Sequence, residues 1–260
     1  IEDFQSAALI HDDIADEGEM RRGQPCVHRT EGIGVAINVG DLGIVRTFGG
    51  VLEDESLDGK TKLRVLEEIA QMEQRTVEGQ ALDLGWARDE RWDVPTGDYL
   101  TMATHKTAFY SAASPLSIGA ICGGGTDAQV EALGSFGIDA GLAFQLQDDL
   151  LNLVGDAEAQ GKDFRSDITE GKRTLVAVHA LSDERHHDEV EAILSSGTDD
   201  PAQLARAVEI FQETGSIDYA HTYALDLTAK AKAAIENVEL DPHARELFLS
   251  MADFFVERLN

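Results

Sequence analysis

Two short segments of the chain place acidic side chains four residues apart within helix-forming sequence. The first, 9–16, contains Asp12 and Asp16, and the second, 144–152, contains Asp148 with an amide at Asn152. On a helix, such residues share one face with their Cβ atoms about 5–6 Å apart, so like charges there oppose helix formation. The pattern therefore indicates a bound cation. Mg2+ fits best, because one or two carboxylates and substrate phosphates usually hold it.

Two arginines follow the first acidic segment. Arg21 and Arg22 carry the planar guanidinium group that binds phosphate oxygens through paired hydrogen bonds. Carboxylates followed by arginines predict a diphosphate site. A chain this acidic also produces Asp-Asp pairs by chance on solvated faces. The second segment favours the functional interpretation, because it lies in an apolar run where carboxylates need partners.

The fold class follows from the spacing of the apolar residues. They recur with the 3.6-residue period of a helix, and almost no stretch alternates with the two-residue period of a strand. No stretch resembles an interdomain linker. The sequence predicts an all-α fold, a single large helical bundle formed by one domain over residues 1–260. We expect its longest helices at 1–16, 35–52, 63–87 and 126–154.

Proline and glycine mark the predicted helix ends. Pro115 is expected to kink or end a helix that begins near Pro95. The glycines at 123–125 are expected to end a helix, since no Lys-Ser/Thr follows them as a phosphate-binding loop requires. Asp200-Pro201 and Asp241-Pro242 each combine an N-cap residue with a first-turn proline, and so predict two helix starts. The helices beyond Arg173 are expected to be short and amphipathic.

The charge of the chain excludes some partners and favours a cellular setting. Asp and Glu number 49 against 21 Lys and Arg, a formal net charge of −28, while 43% of the residues are hydrophobic. That apolar content argues against disorder. The negative field repels nucleic acid and anionic membranes, and opposes compaction unless salt screens it. We therefore expect a high-salt cytoplasm and a halophilic source.

Two further features support an intracellular location. Cys26 and Cys122 lack the spacing of a metal site, which indicates a reduced compartment and no structural zinc. No apolar run reaches the roughly 18 residues of a membrane span, so no stable membrane insertion is expected.

The motifs carry a family resemblance. The two aspartate-rich segments, Lys106-Thr107, and the Gly-Lys pairs at 161–162 and 171–172 resemble those of the trans-isoprenyl diphosphate synthases, the polyprenyl synthetase family. The resemblance is clear from Ile1 to about Leu175. It implies an isoprenoid synthase fold in which the two motifs face each other across a central cavity, with three Mg2+ ions bridging them to an allylic diphosphate. It also implies a homodimer.

The resemblance assigns roles to individual residues. Lys106, Thr107 and Gln145 are the expected catalytic residues, with the first two contacting the allylic diphosphate and the Gln145 carbonyl oxygen facing the carbocation. The expected Mg2+ ligands are Asp12, Asp16 and Asp148. The expected substrate-binding residues are Lys106, Thr107 and Gln145 again, with Gln5, Arg22 and Phe144 toward isopentenyl diphosphate and Arg21, Lys162 and Lys172 toward the leaving diphosphate. Gln80 and Asp83 face the cavity in the family, although a solvated polar face fits them equally well.

The implied reaction is a head-to-tail prenyl transfer from an allylic diphosphate to isopentenyl diphosphate. The tail of the growing product runs along the helix that bears the first motif, where Ala7 and Ala8 leave room. We therefore expect a product beyond C15, most simply C20 geranylgeranyl diphosphate. The family's N-terminal helices, with a Gly-Lys-x-x-Arg segment that binds isopentenyl diphosphate, do not occur in this sequence.

Two alternatives stay open at this point. A class I terpene cyclase fits because Asp148, Asn152 and Asp156 have the spacing of its second metal motif, although Arg21-Arg22 and the lysines are not part of the cyclase pattern. A non-catalytic partner subunit of a prenyl synthase is expected to have lost the first motif, which this chain keeps.

Overall fold

The computed structural model describes residues 1–154 and 164–257, and these are almost entirely helical, which confirms the all-α class. In chain order the elements are α1 (Glu2–Ala15), β1 (Met20–Arg21), β2 (Gln24–Pro25), α2 (Val27–Thr30), α3 (Ile33–Glu53), α4 (Gly59–Arg88), α5 (Thr96–Ala103), the π-helix π1 (Thr104–Ala113), α6 (Ser114–Cys122), α7 (Asp127–Val154), α8 (Ser166–Thr169), α9 (Leu175–Leu181), α10 (His187–Ser195), α11 (Pro201–Glu213), α12 (Ser216–Ala234) and α13 (Pro242–Glu257).

The chain divides into two compact units. The first is Ile1–Met72 with Ile121–Gly124, and the second is Glu73–Ala120 with Gly125–Asn260. The expectation of a single domain over the whole chain stays a prediction.

In the first unit, α1 packs against α3 at two glycines. A Cβ atom added to Gly43 would lie 2.8 Å from the Cβ of Ala7, and one added to Gly40 would lie 2.9 Å from Cε1 of His11. Both separations are too short for carbon atoms, so only glycine permits this approach. The glycines thereby set the position of the C-terminal turns of α1, which carry the first aspartate segment.

A short hairpin follows α1 and was not predicted. β1 and β2 pair antiparallel through Met20 with Pro25 and Arg21 with Gln24, the only strand pairing in the described part of the chain. Its turn residues, Arg22 and Gly23, have φ angles of 51° and 78°. Two successive positive φ angles are the geometry of a tight hairpin turn. The sequence did not predict this hairpin, because strands of two residues show no periodicity.

Helix α3 exposes most of its apolar side chains. It is long and apolar enough to cross a membrane by length and composition alone, although only 17% of its most apolar 18-residue stretch is buried. The expectation that no apolar run reaches that length was wrong here, because Asp41 and Arg46 interrupt a helix that is otherwise rich in apolar residues. Val45 and Leu42 are 67% and 57% exposed.

In the second unit, α7 lies at the centre and packs closely against π1. A Cβ atom on Gly137 would lie 2.7 Å from the backbone nitrogen of Ala113, and one on Gly141 would lie 3.0 Å from the Cα of Ala108. The order of these contacts shows that the two helices run antiparallel. The C-terminal part of α7, which carries the second aspartate segment, therefore lies at the same end of the unit as the start of π1.

Pro115 does not end its helix. Helices α5, π1 and α6 follow one another without a break as far as Cys122, and the ten residues before the α6 start form the wide π1 segment. Pro115 has no N–H to bond the carbonyl group of Ser111, and a wider helical turn relieves the clash of its ring with that carbonyl. The glycine run does end the helix, as predicted: Gly124 has a φ of 74°, and the Gly125 N–H donates to the Ala120 carbonyl at 2.8 Å.

Both predicted N-caps are confirmed. The Asp200 carboxylate accepts from the Ala202 N–H at 3.0 Å, and that of Asp241 accepts from the N–H groups of His243 and Ala244. The C-terminal helices are not all short, however. Helix α12 runs from Ser216 to Ala234 and packs along α7.

The glycine contact between α7 and π1 gives a stability prediction. Replacing Gly137 with Ala should lower the free energy of unfolding by about 1–3 kcal/mol, because the added methyl group overpacks the contact with Ala113. Gly119 in α6 is the matched control, since nothing lies within 4 Å of its Cβ position. Gly119→Ala should leave stability unchanged or raise it by up to about 1 kcal/mol. Thermal unfolding of both variants tests this, and an equal effect of the two substitutions would contradict it.

Candidate active site

The first aspartate segment occupies the last turn of α1. The Asp16 N–H donates to the Asp12 carbonyl at 2.8 Å, so the helical register extends through Asp16 and the two carboxylates share one face. Asp12 is half-buried, Asp16 is exposed, and Asp13 between them is buried. Gln5 lies half-buried on the same helix.

Asp13 holds Arg21, a role that the sequence did not reveal. The Nε and Nη2 atoms of Arg21 donate to Oδ1 of Asp13 at 2.9 and 2.6 Å. A hydrogen bond to a buried carboxylate is short and strong, so it fixes the direction of the guanidinium group. The hairpin carries Arg22 at the adjacent turn position, where its side chain is exposed. The first unit thus brings Asp12, Asp16 and the two arginines onto α1 and the hairpin that follows it.

Lys106 has the anionic partner that its half-buried position requires. Its Nζ donates to Oδ2 of Asp83 at 2.6 Å, and about a quarter of each side chain is exposed. Gly79 makes this pairing possible, because a Cβ atom there would lie 2.8 Å from the Cα of Lys106. Thr107 follows on the wide turn of π1, half-buried, and its carbonyl group accepts from the Ser111 hydroxyl at 2.7 Å. π-helical segments occur frequently at functional sites.

The second aspartate segment combines one exposed and one buried carboxyl group. Asp148 is exposed, whereas Asp149 is only 7% exposed. The Tyr99 hydroxyl donates to Oδ2 of Asp149 at 3.0 Å, and the Gln145 amide nitrogen donates to Oδ1 at 2.8 Å. Burial raises the pKa of Asp149 well above its usual range, and these two donors oppose the rise. The sequence predicted neither Asp149 nor Tyr99 as part of the site.

Asn152 binds the chain that returns from the second segment. Its amide nitrogen donates to the Ser166 hydroxyl at 3.1 Å, and its carbonyl oxygen accepts from the Asp167 N–H at 3.3 Å. Asn152 therefore ties α7 to the first residues of α8. The predicted residue Lys162, and Asp156 of the cyclase alternative, lie outside the described residues.

Lys172 lies in an acidic neighbourhood. Its Nζ is 2.8 Å from Oε2 of Glu170 and 3.5 Å from Oδ1 of Asp167. Burial raises the pKa of Asp167, and the charge of Lys172 opposes that rise. Asp167 also interacts electrostatically with Asp148 and Asp149. Lys172 and the second aspartate segment therefore belong to one charged cluster.

Arg173 anchors the loop that carries Lys172. It donates to the carbonyl groups of Arg91, Gly171 and Trp86 at 3.0, 3.1 and 3.2 Å, and its guanidinium carbon lies 3.9 Å from the ring centre of Trp92. A planar, always charged group can make these bonds and stack on the indole at the same time. From the pattern Gly-Lys-Arg-Thr, the sequence analysis predicted a role for Lys172 but none for Arg173.

Phe144 is half-buried and packs edge-on against Phe255 of α13, with 5.3 Å between the ring centres. Gln80 is half-buried on α4 near Asp83. The second unit therefore brings Gln145, Asp148 and Lys172 into one neighbourhood and pairs Lys106 with Asp83. The expected contact of Phe144 with isopentenyl diphosphate stays a prediction.

The carboxylates present suit Mg2+ bound together with a ligand. Across residues 1–154 and 164–257, no group of three or more His, Cys, Asp or Glu residues could hold a metal ion. The available donors are instead carboxylates on one helix face, as at Asp12 and Asp16. Mg2+ is usually bound by one or two carboxylates with substrate phosphates and water completing its shell, so the residues fit.

Comparisons with known proteins identify the family. The polyprenyl synthetase family model matches residues 1–211. The chain is 40% identical to the short chain isoprenyl diphosphate synthase of Methanothermobacter thermautotrophicus, over 99% of the chain and 78% of that protein. The chain belongs to the polyprenyl synthetase family. It is also 41% identical to the geranylfarnesyl diphosphate synthase of Natronomonas pharaonis, over 99% of the chain and 73% of that protein.

A solved structure of the polyprenyl synthetase family agrees with the fold. The geranylgeranyl pyrophosphate synthase of Corynebacterium glutamicum, complexed with isoprenyl diphosphate and magnesium, superposes with a TM-score of 0.88 at 30% identity, over 99% of this chain and 77% of that one. The expected fold class and activity are confirmed. The protein is a trans-prenyltransferase that condenses isopentenyl diphosphate with an allylic diphosphate into a longer prenyl diphosphate. The relatives support neither a cyclase nor a non-catalytic subunit.

Glu73 on α4 is a half-buried acid that the sequence did not reveal. It lies seven residues, about two helical turns, before Gln80 on the same helix. Its Oε1 atom is buried and has no hydrogen-bond partner among the described residues. Burial raises the pKa of Glu73 to about 7 from the ordinary value of 4.5.

This shift predicts a pH-dependent gain in stability for Glu73→Gln. As the pH rises from 4.5 to 7, the unfolded chain loses the proton that the folded chain still holds, so folding stability falls across that window. Glutamine does not titrate and removes the loss. The melting temperature of Glu73→Gln relative to the unsubstituted chain should therefore rise between pH 5 and about pH 8.

Glu78→Gln is the control for this effect. Hydrogen bonds from Gln74 and Arg75 lower the pKa of Glu78, so its removal should give no gain with rising pH. A melting-temperature difference for Glu73→Gln that stays constant across the pH range would contradict the assignment.

Proposed function

We propose that this prenyltransferase makes C20 geranylgeranyl diphosphate, with Asp12, Asp16 and Asp148 as Mg2+ ligands. The observation that carries the metal assignment is the pattern of exposure in the second segment. Asp149 is buried and hydrogen-bonded, whereas Asp148 beside it is exposed. A carboxylate that the fold leaves accessible beside a tightly held one is suited to bind an external cation. Three Mg2+ ions per active site is the number that the family resemblance implies.

Mg2+ held by Asp12, Asp16 and Asp148 would supply positive charge beside the diphosphate, which would favour ionisation of the allylic C–O bond with the diphosphate as leaving group. In our proposal, Lys106, Lys162, Lys172 and Arg21 hold oxygens of the leaving diphosphate. In the structure, the Nζ atom of Lys106 pairs with Oδ2 of Asp83 at 2.6 Å, so Asp83 holds this lysine in place before the substrate binds.

The remaining residues act on the carbocation and the second substrate. Thr107 and the carbonyl oxygen of Gln145 face the developing cation. Gln5, Arg22 and Phe144 hold isopentenyl diphosphate, whose double bond attacks the cation. The proton that leaves afterwards goes to the released diphosphate, so no side-chain base is required.

Substitution of a metal ligand tests the assignment. Asp12→Ala or Asp148→Ala should lower kcat by about a hundredfold or more, because electrostatic stabilisation of the leaving group is lost. The helix content, measured by circular dichroism, should not change, since neither residue is in the core. Incorporation of labelled isopentenyl diphosphate in the presence of Mg2+ is the assay. Glu53→Ala, at the exposed end of α3, is the control. Near-normal turnover in either aspartate variant would show that the metal assignment is wrong.

The packing of α1 bears on the proposal about product length. Ala7 is 2% exposed and packs against Gly43 of α3, which supports a role for it in the α1–α3 contact. Ala8 is half-buried on the neighbouring face of α1. We propose that Ala8 borders the prenyl tail.

Ala8→Phe should therefore shorten the product toward C15, because the ring fills space that the C20 tail needs. Ala7→Phe is the matched comparison. It should lower the melting temperature, by overpacking worth about 1–3 kcal/mol against α3, instead of changing product length selectively. Chromatography of the dephosphorylated products is the measurement. An unchanged product length in Ala8→Phe would place the tail elsewhere.

The apolar face of α3 supports a homodimer. Leu42, Val45 and Leu52 share one face of this helix and are each more than half exposed. Large exposed apolar patches mark protein interfaces, and a second copy of the chain offers the same face in a twofold arrangement. We propose that two copies pair through α3, and that the protein works in a cytoplasm whose salt screens its charge of −28.

Sedimentation tests the dimer. Val45→Asp together with Leu42→Asp should convert a dimer into a monomer, because two charges would be buried at the interface. Leu247→Asp is the control, on the 51% exposed position of α13 in the other unit, and should leave the dimer intact. A monomeric unsubstituted chain, or a dimer that persists in the double variant, would contradict the proposal.

A further inference from the structure

Tyr99, Asp149 and Gln145 form a hydrogen-bonded network, and the proposed reaction assigns a role only to Gln145. The Tyr99 hydroxyl donates to one oxygen of Asp149, and the Gln145 amide nitrogen donates to the other. Tyr99 is 2% exposed and Asp149 is 7% exposed, whereas Gln145 is half-buried. The hydrogen-bonded network therefore begins in the core at Tyr99 and ends at Gln145, the most exposed of the three residues.

The direction of these bonds sets the orientation of an amide. A glutamine side chain has a donor nitrogen and an acceptor oxygen on opposite sides of its terminal group. When the nitrogen of Gln145 is bound to Asp149, the oxygen is turned away from it. In the reverse orientation, the amide N–H groups of Gln145 would point away from Asp149. Their partial positive charge would then repel a cation placed on that side of the amide.

We infer that Tyr99 and Asp149 are positioning residues, which hold the Gln145 amide so that its carbonyl oxygen is presented to the allylic cation. This inference rests on the role given to Gln145 under the proposed function. Asp149 acts on the amide directly, and Tyr99 acts by holding the Asp149 carboxyl group in place.

The surroundings argue for a role beyond packing. Asp149 sits on α7 among Leu146, Leu150 and Leu153, which belong to the large apolar core of the second unit. Burying a carboxyl group there is costly, and an apolar residue of similar volume would pack with less penalty. The position of Gln145, four residues before Asp149, puts the amide on the same helical face as the carboxyl group.

A double-mutant cycle on kcat tests the inference. Tyr99→Phe should lower kcat about tenfold in the unsubstituted enzyme, within the coupling measured for residues of one hydrogen-bond network. In a Gln145→Met background, the same change should lower kcat less than about twofold, because the amide that Tyr99 orients is gone. The KM for the allylic diphosphate should stay within about twofold throughout. Tyr223→Phe, a tyrosine of α12 packed against the same core, is the control and should leave kcat unchanged.

The outcomes separate this inference from the proposed function. An equal loss from Tyr99→Phe in both backgrounds would overturn the inference while leaving the role of Gln145 intact. Full kcat in Gln145→Met would overturn that role, and with it the reason for the positioning.

The orientation itself is measurable without turnover. In protein labelled with 15N-glutamine, the side-chain amide signal of Gln145 is the one that disappears in Gln145→Met. One of its two protons should exchange slowly with water, and Tyr99→Phe should speed that exchange about tenfold. Fast exchange of both protons in the unsubstituted enzyme would also overturn the inference.

Discussion

The concentration of negative charge at the ends of α1 and α7 is the constraint on which the rest of this structure depends. Carboxyl groups four residues apart, or adjacent to a buried carboxyl group, repel each other and oppose folding unless cations compensate them. The chain supplies part of the compensation itself. Arg21 pairs with Asp13, and Lys172 lies beside Asp167 and Glu170. In the proposed function, Asp12, Asp16 and Asp148 bind Mg2+.

Glycines at the helix contacts determine where these charged side chains lie. Gly40 and Gly43 bring α1 against α3, Gly79 brings α4 against π1, and Gly137 brings α7 against π1. Each glycine lets two helices approach at a point that a side chain would block, so the angle and register of the helices follow from where the glycines lie. Asp12, Lys106 and Asp148 are then held on helices, as a precise electrostatic site requires.

The sequence predicted the helices well because their apolar period is strong and their ends carry Asp-Pro and glycine signals. It predicted the metal ligands and Lys106 through a family resemblance. It did not predict Tyr99, Asp149 or Arg173, since their partners are distant in the chain, as Tyr99 and Asp149 are fifty residues apart. It did not predict the role of Asp13, because the pairing with Arg21 depends on a hairpin that the sequence did not reveal. The sequence did not predict the π1 segment either. A proline such as Pro115 is compatible with a kink, a helix end or a wide turn, and packing against α7 helps to decide among them.

The most direct test of the account is the melting temperature of the unsubstituted chain with MgCl2 and inorganic diphosphate, at an ionic strength matched with KCl. If the aspartates hold Mg2+ only together with a diphosphate, the two ligands together should raise the melting temperature by about 5 °C or more, through binding to the folded state alone. Either ligand by itself should have little effect, and Asp148→Asn should lose the rise. An equal rise in Asp148→Asn, or no rise in the unsubstituted chain, would contradict the account.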